Sequence, residues 1–346
     1  MRVLWRWFKR IVTVILIGTI FLLAPIAYVE LGCRGGGEIQ SFEPRLAAEH
    51  HRPETRTFLT YPEWHIVHAY EDYAEVIRIE APHNFGYLSS IGGFWSSLCA
   101  LSKTATAHGP VDGGTKQMVY VIGASFTVEL LFKAAYEETL GRLFVILRGQ
   151  DRSLLDDVSA NQAKAYADFL QQTPWYKWRF REDAAQLSDV ASGNLRDRER
   201  SIALGLEYKA KAAYADVIAQ AVAAVGNDAL RLRMIVDGEL SEYEDVQVIE
   251  RTPFGTIVET PRYRELTHLL MQMAQDGIRF VEIAGNDDIL LTMISPDPTY
   301  PNSIYSAQRQ GFNDYRHLVV FKVSALAEGL RQIEQSAAKL EHIHDY

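Results

Sequence analysis

Residues 11–29, IVTVILIGTIFLLAPIAYV, are nineteen consecutive positions without a charge. About 20 helical residues, each rising 1.5 Å, span the hydrocarbon core of a bilayer. A helix also satisfies its own backbone there, so only side chains set the cost of insertion. Trp5, Trp7 and Tyr28 bracket the run, and Arg2, Arg6, Lys9 and Arg10 precede it. Rings of this kind settle at the membrane interface, and leading cations stay on the cytoplasmic side. The expectation is a single-pass signal-anchor in the plasma (inner) membrane. The N-terminus is then cytoplasmic and the bulk of the chain extracytoplasmic, a periplasmic domain of the cell envelope. A cleaved signal peptide has a shorter apolar region and a small-x-small site, for which Pro25-Ile26-Ala27 is a poor match. A lipid-modified Cys33 would have the carboxylate of Glu30 three residues upstream. Gly35-Gly36-Gly37 reads as a flexible exit from the membrane.

Composition supports an ordinary globular body behind that helix. The 346 residues are 48% hydrophobic and 23% charged, which excludes a disordered or collagen-like chain. Mean hydropathy of −0.10 is too low for a polytopic transporter. The net charge is −9, and residues 1–36 are basic, so the body is acidic. That balance argues against a nucleic-acid partner held by phosphate attraction. Two cysteines do not make a disulfide framework. The simplest expectation is a buried Cys99 and an unpaired juxtamembrane Cys33, with a Cys33–Cys99 bridge chemically allowed outside the cytoplasm.

The fold class expected is α+β: the anchor (1–36), a mainly helical region (37–226), then a C-terminal antiparallel α+β sandwich (227–346). A helix is expected from Thr60 to about Ile79, because Thr60-x-x-Glu63 is a capping-box pattern with Pro62 in the first turn. Two apolar pieces follow, near 87–104 and 118–136, separated by a turn-rich loop. They read either as buried helices or as a membrane hairpin giving three spans, although Glu129 and Lys133 would then lie in lipid. Residues 142–148 fit a strand or a helix end. Helices are expected over 159–171, from Thr173-Pro174, and over 196–225, the last stopped by Gly226-Asn227. Period-two patterning predicts strands over 229–236, 246–252, 278–284, 289–294 and 317–323. Gly285-Asn286-Asp287 would join two of them as a hairpin. Helices are expected from Thr260-Pro261 to about Gln275 and from Ser324 to about His342. Residues 295–316 read as a long polar and aromatic loop, a type that often serves as a lid or binding surface.

The strongest chemical constellation lies on the first helix of the body. Tyr61, His65, His68 and Asp72 share one face. Two imidazoles and a carboxylate can supply part of a metal site or a proton-transfer group. Glu129 and His108 are candidates to join them. Glu265/His268 and Glu341/His344 have the i, i+3 spacing of di-iron helices, but without a bundle to complete it. His50-His51 reads as exposed. In WYKWRFR, Trp175, Tyr176, Lys177, Trp178 and Arg179 fit either the headgroup zone or an aromatic stripe facing the core.

The chain carries no Walker A loop, no GxGxxG after a strand, no GxSxG elbow and no Cys/His zinc spacing. A metal on the His65/His68/Asp72 face is therefore the one cofactor the residues suggest. The sequence reads first as a membrane-anchored binding or assembly component with an envelope protein partner. The alternatives are an anchored enzyme using the His/Asp face and a three-span membrane protein. The stretch TYPEWHIVHAYEDYA has the distinctiveness of a signature.

Overall fold

A computed structural model describes residues 2–36, 42–148, 152–225, 230–240 and 243–346. Within them lie ten helices and eight strands. The helices of the first part are α1 (Arg2–Gly32), α2 (Thr55–Ile79), α3 (Tyr87–Ala105), α4 (Gly113–Tyr136), α5 (Arg142–Arg148), α6 (Leu154–Leu170), α7 (Phe180–Val190) and α8 (Leu195–Val225). A single π turn, Glu137–Gly141, joins α4 to α5, so 142–148 is helical. Then come β1 (Arg231–Asp237), β2 (Gln247–Thr252), β3 (Gly255–Pro261), α9 (Arg264–Gln275), β4 (Arg279–Ile283), β5 (Asp288–Ser295), β6 (Ser303–Gln308), β7 (Tyr315–Lys322), α10 (Val323–Glu334) and β8 (Lys339–His344). The expected domain boundary at 226–229 lies outside the described residues, as do the Gly226-Asn227 stop and Gly37.

The strands form two antiparallel sheets, ordered β2-β3-β1-β4 and β6-β7-β5-β8. Helices α9 and α10 carry apolar side chains at helical spacing, Leu266, Leu270 and Met273 on one and Leu326, Leu330 and Ile333 on the other. They share a core with both sheets. The second sheet is buried on both faces. Ile289, Leu291 and Met293 of β5 point into that core. The alternate residue Leu290 packs with Phe58, Tyr61 and Trp64 of α2. This two-sided burial joins the helical region to the C-terminal sheet, with α2 as the shared element.

Several expectations are corrected. Helix α2 starts at Thr55, not Thr60, and Pro62 lies inside it. The extra turn is held from outside, since the Thr57 hydroxyl donates to the His344 carbonyl and accepts from the Leu290 amide. Thr173-Pro174 opens only a 3₁₀ turn, Trp175–Lys177, before α7. Residues 255–261 form a strand, because the chain turns tightly at Pro253-Phe254 and Gly255 sits at φ 135°. A β-carbon there would come within 2.5 Å of the Val236 carbonyl. Residues 284–287 do not close a hairpin, because β4 and β5 belong to different sheets. The long loop contains β6, whose polar side chains hide its period. The last helix stops at Glu334, and the chain returns as β8, the strand at the edge of the second sheet beside β5.

Cys33 and Cys99 form a disulfide. The bridge ties the end of α1 to α3, so the simplest expectation of two unpaired thiols is corrected. Glu30 accepts hydrogen bonds from Lys116 (2.9 Å) and from Tyr120 (2.6 Å) of α4. Gly35 lies against the end of α3, where a β-carbon would collide with the Lys103 carbonyl. The exit from α1 is therefore pinned before and at the glycines rather than free to swivel.

Candidate functional site

Two charged clusters flank helix α2. On the side facing the second sheet, His68, Glu71 and Asp72 meet Arg309, just beyond β6, Arg316 of β7, and Glu341 of β8. Arg316 grips Glu341 with two bonds, Nε to Oε2 at 2.6 Å and Nη2 to Oε1 at 2.7 Å. Its Nη2 lies 3.5 Å from Glu71 and its Nη1 3.8 Å from Asp72. Arg309 stands 3.5 Å from Glu71 and 3.8 Å from Asp72, and bonds Asp314 at 3.2 Å. The Gln310 amide donates to Asp72 at 3.0 Å.

Glu341 reaches this cluster through a β-bulge. Thr292 pairs with His342 and Met293 with Leu340, so Glu341 is the extra residue. Bulges re-aim a side chain in this way. His68 Nε2 lies 3.4 Å from Glu341 Oε2, buried and without a hydrogen bond. Asp72 Oδ1 and Arg309 Nε are also buried without hydrogen-bond partners. Burial and the nearby Arg316 charge hold His68 neutral, well below the usual imidazole range. Burial pushes the Asp72 carboxyl up to about 6 against the pull of Arg316. Burial, together with Glu341, raises Glu71. Four carboxylates (Glu71, Asp72, Asp314, Glu341) face two guanidiniums, an excess of two negative charges when all are ionised.

His65 does not join this group. Its Nε2 meets the Ser90 carbonyl at 3.0 Å, and its ring lies edge-on to Phe94 and Phe126. Burial lowers it to about 4. The expected face of His65, His68 and Asp72 is therefore not brought together as a set, whereas His68, Glu71 and Glu341 place donor atoms within 4.8 Å of one another. Tyr61 lies between His68 and His344 with its ring against both. Glu265 and His268 are exposed on α9, and neither Glu341 nor His344 is helical, so no di-iron helix exists among the described residues. Their C-terminal segment is not frayed: His342 stacks on Trp64, with ring centroids 3.4 Å apart, and Arg52 and Arg262 bond the Tyr346 carbonyl. His50 and His51 are half-buried against Arg233 and the Leu46 carbonyl.

On the other side of α2, Glu129 belongs to a separate quartet. Lys211 lies 2.8 Å from Glu129 and 3.0 Å from Glu207, and Lys133 lies 3.0 Å from Glu207 and 3.8 Å from Glu129. Tyr70 donates to Glu129 and stacks under both ammonium groups. Burial would raise Glu207, but the two lysines outweigh it and hold the carboxyl at about 2. The adjoining cavity, beside Tyr166, Phe180 and Tyr208, has a free volume of about 20 Å³, room for a water and not for a substrate.

No family matches the chain, and no curated protein or solved structure is similar to it. Function therefore rests on this geometry alone. His108 sits apart from His68. It joins Glu54 (2.9 Å) to Asp288 (3.7 Å), which Lys322 also holds at 2.8 Å. The aromatic rings of WYKWRFR pack inward, with Trp178 donating to Asp183 and Trp175 against Tyr214, while Lys177 and Arg179 are exposed. Sequence reasoning passed over Glu71, Arg309 and Arg316. Arg316 shares a face with Leu318 and Val320 of β7, and a charge on the buried face of a strand demands a partner. That was the signal available.

Proposed function

We propose that this protein is a membrane-anchored extracytoplasmic binding or assembly component, held at a fixed orientation to the bilayer by a braced anchor. The observation that carries the reading is the Cys33–Cys99 bridge four residues beyond the apolar run. Disulfides persist in oxidising compartments, and Glu30, Lys116 and Tyr120 brace the same junction. The uncharged run lies in a 31-residue helix whose Val12, Leu16, Ile20 and Leu23 side chains are exposed, as lipid contact requires. A body that docks onto a partner at a set height above the membrane benefits from such a joint, whereas a swivelling tether does not.

A second reading has one observation behind it. The helical stretch Gly113–Leu147 is long and apolar enough to cross a membrane, by length and composition, and 28% of its most apolar window is buried. Labelling separates the two readings. Single cysteines at Thr139, Gln186 and Glu334, with the native bridge kept intact, are probed by an impermeant maleimide in intact cells. The braced single anchor predicts labelling at all three. Protection at Thr139 alone favours the three-span reading, in which 87–104 crosses as well. A single return crossing at Gly113–Leu147 predicts protection at all three, and protection at Gln186 and Glu334 removes the extracytoplasmic reading. Non-reducing electrophoresis after thiol blocking should find Cys33 and Cys99 unreactive until reduced.

A further inference from the structure

We propose that His68, Glu71 and Glu341 bind one divalent first-row metal cation of the zinc or manganese type. The inference stands independently of the membrane reading. Three donor atoms from α2 and β8 lie within 4.8 Å of one another. One nitrogen and two carboxylates suit these cations. His68 Nε2 is buried, makes no hydrogen bond and lies 3.4 Å from Glu341 Oε2. A buried polar atom without a partner is destabilising, and a metal ion would occupy that lone pair. The cluster's two excess negative charges match the charge of the ion. The arginines orient the ligands rather than consume them, because a carboxylate offers about four lone-pair sites. Arg316 fixes Glu341, and Arg309 faces Glu71, in the manner of outer groups that hold metal ligands in place. The side chain of Glu71 is 23% exposed and supplies the way in from solvent.

The His108 cluster makes a useful contrast. Glu54, His108 and Asp288 are equally close, yet Glu54 occupies His108 Nδ1 and Lys322 occupies Asp288. No member of that set is among the buried atoms without a hydrogen bond. It is a clasp between the start of α2 and the sheet. The His68 cluster differs by its orphaned atoms.

The test uses the full chain in detergent with its disulfide intact, stripped with EDTA and titrated with Zn²⁺ against a chromophoric chelator. Co²⁺ serves as the optical probe. One equivalent of Zn²⁺ should bind, and Co²⁺ should develop visible d–d absorption. Glu71→Gln, at the solvent edge, and Glu341→Gln should each weaken Zn²⁺ binding at least tenfold. His65→Gln, on the neighbouring turn of the same helix, should leave it unchanged. Near-ultraviolet circular dichroism checks that each variant keeps its packing, and the Glu71 variant suffices if the Glu341 one does not fold. Absence of stoichiometric binding by the parent overturns the proposal. So does binding within tenfold of the parent in a folded Glu71 or Glu341 variant.

Discussion

The two charged clusters flanking α2 are built from similar groups and solve burial differently. In the quartet, two lysines and two carboxylates alternate, and no charge is left over. In the cluster against the sheet, the carboxylates outnumber the guanidiniums, several contacts stretch to 3.5–3.8 Å, and three polar atoms lack partners. Burial of charge is common to both, so it cannot by itself mark a functional site. Imbalance distinguishes them. A balanced group is complete within the chain, whereas an unbalanced one calls for a proton or a cation.

Acid should separate the two regions most strongly. His65 and His344, which flank the sheet-side cluster, are lowered to about 4 and about 3 by burial, while unfolded histidine titrates near 6.5. From these two groups the unfolded chain binds nearly two more protons than the folded one between pH 6 and 4, whereas Asp72, raised to about 6 in the fold, takes up nearly one more in the folded state. The histidine contribution is present above pH 6.5 and is lost on acidification, by about 5 kcal/mol over the two units, and Asp72 returns about 2 kcal/mol, leaving a net loss of about 3 kcal/mol. The quartet keeps its charges over this range, since Glu207 titrates at about 2. Hydrogen exchange should accordingly rise in β8 before it rises around Lys211 in α8. Loss of protection in α8 first would break the comparison.

Removing one member of the quartet is the next largest effect. Lys211→Ala leaves Glu129 and Glu207 facing one lysine in a largely enclosed site. Deleting one partner of a buried pair costs 3–5 kcal/mol, and the partial exposure of these groups reduces the expectation to about 3 kcal/mol. Urea unfolding at pH 7 measures it. A double variant, Lys211→Met with Glu129→Gln, restores the balance and should recover more than half of the loss. A Lys211→Ala cost under about 1 kcal/mol would show that the quartet is solvated like a surface pair.

The legible parts of the molecule were those whose signal is local. The α8 helix and strands β2, β4, β5 and β7 follow their periods to within two residues at most ends. The shared face of Tyr61, His68 and Asp72 on α2 was legible, but not its burial, with Tyr61 2% and His68 4% exposed. Non-local features were not legible. Glu341 is aimed by a bulge, which depends on a partner strand 50 residues upstream. The start of α2 depends on Thr57 bonding to β5 and β8. β6 has polar, half-buried side chains and owes its existence to pairing with β7. The disulfide joins residues 66 apart, and nothing near Cys99 marks it as paired.

The smallest expected effect is the sharpest test of imbalance. Glu71→Gln in the metal-free protein removes one of four carboxylates from a cluster holding two guanidiniums. Glu71 contacts Arg309 and Arg316 only at 3.5 Å, and both keep closer partners in Asp314 and Glu341. The lost attraction is therefore partly offset by relief of repulsion from Glu341, which already raises the Glu71 carboxyl. The net change should lie within about 1 kcal/mol of zero, against about 3 kcal/mol for Lys211→Ala. Paired urea curves at pH 7, with EDTA present, compare the two directly. With Zn²⁺ added, the parent should gain stability as a ligand-binding native state does, and Glu71→Gln should gain less. A Glu71→Gln cost of 3 kcal/mol or more without metal would mean that the cluster is already balanced. The distinction between the two sides of α2 would then disappear.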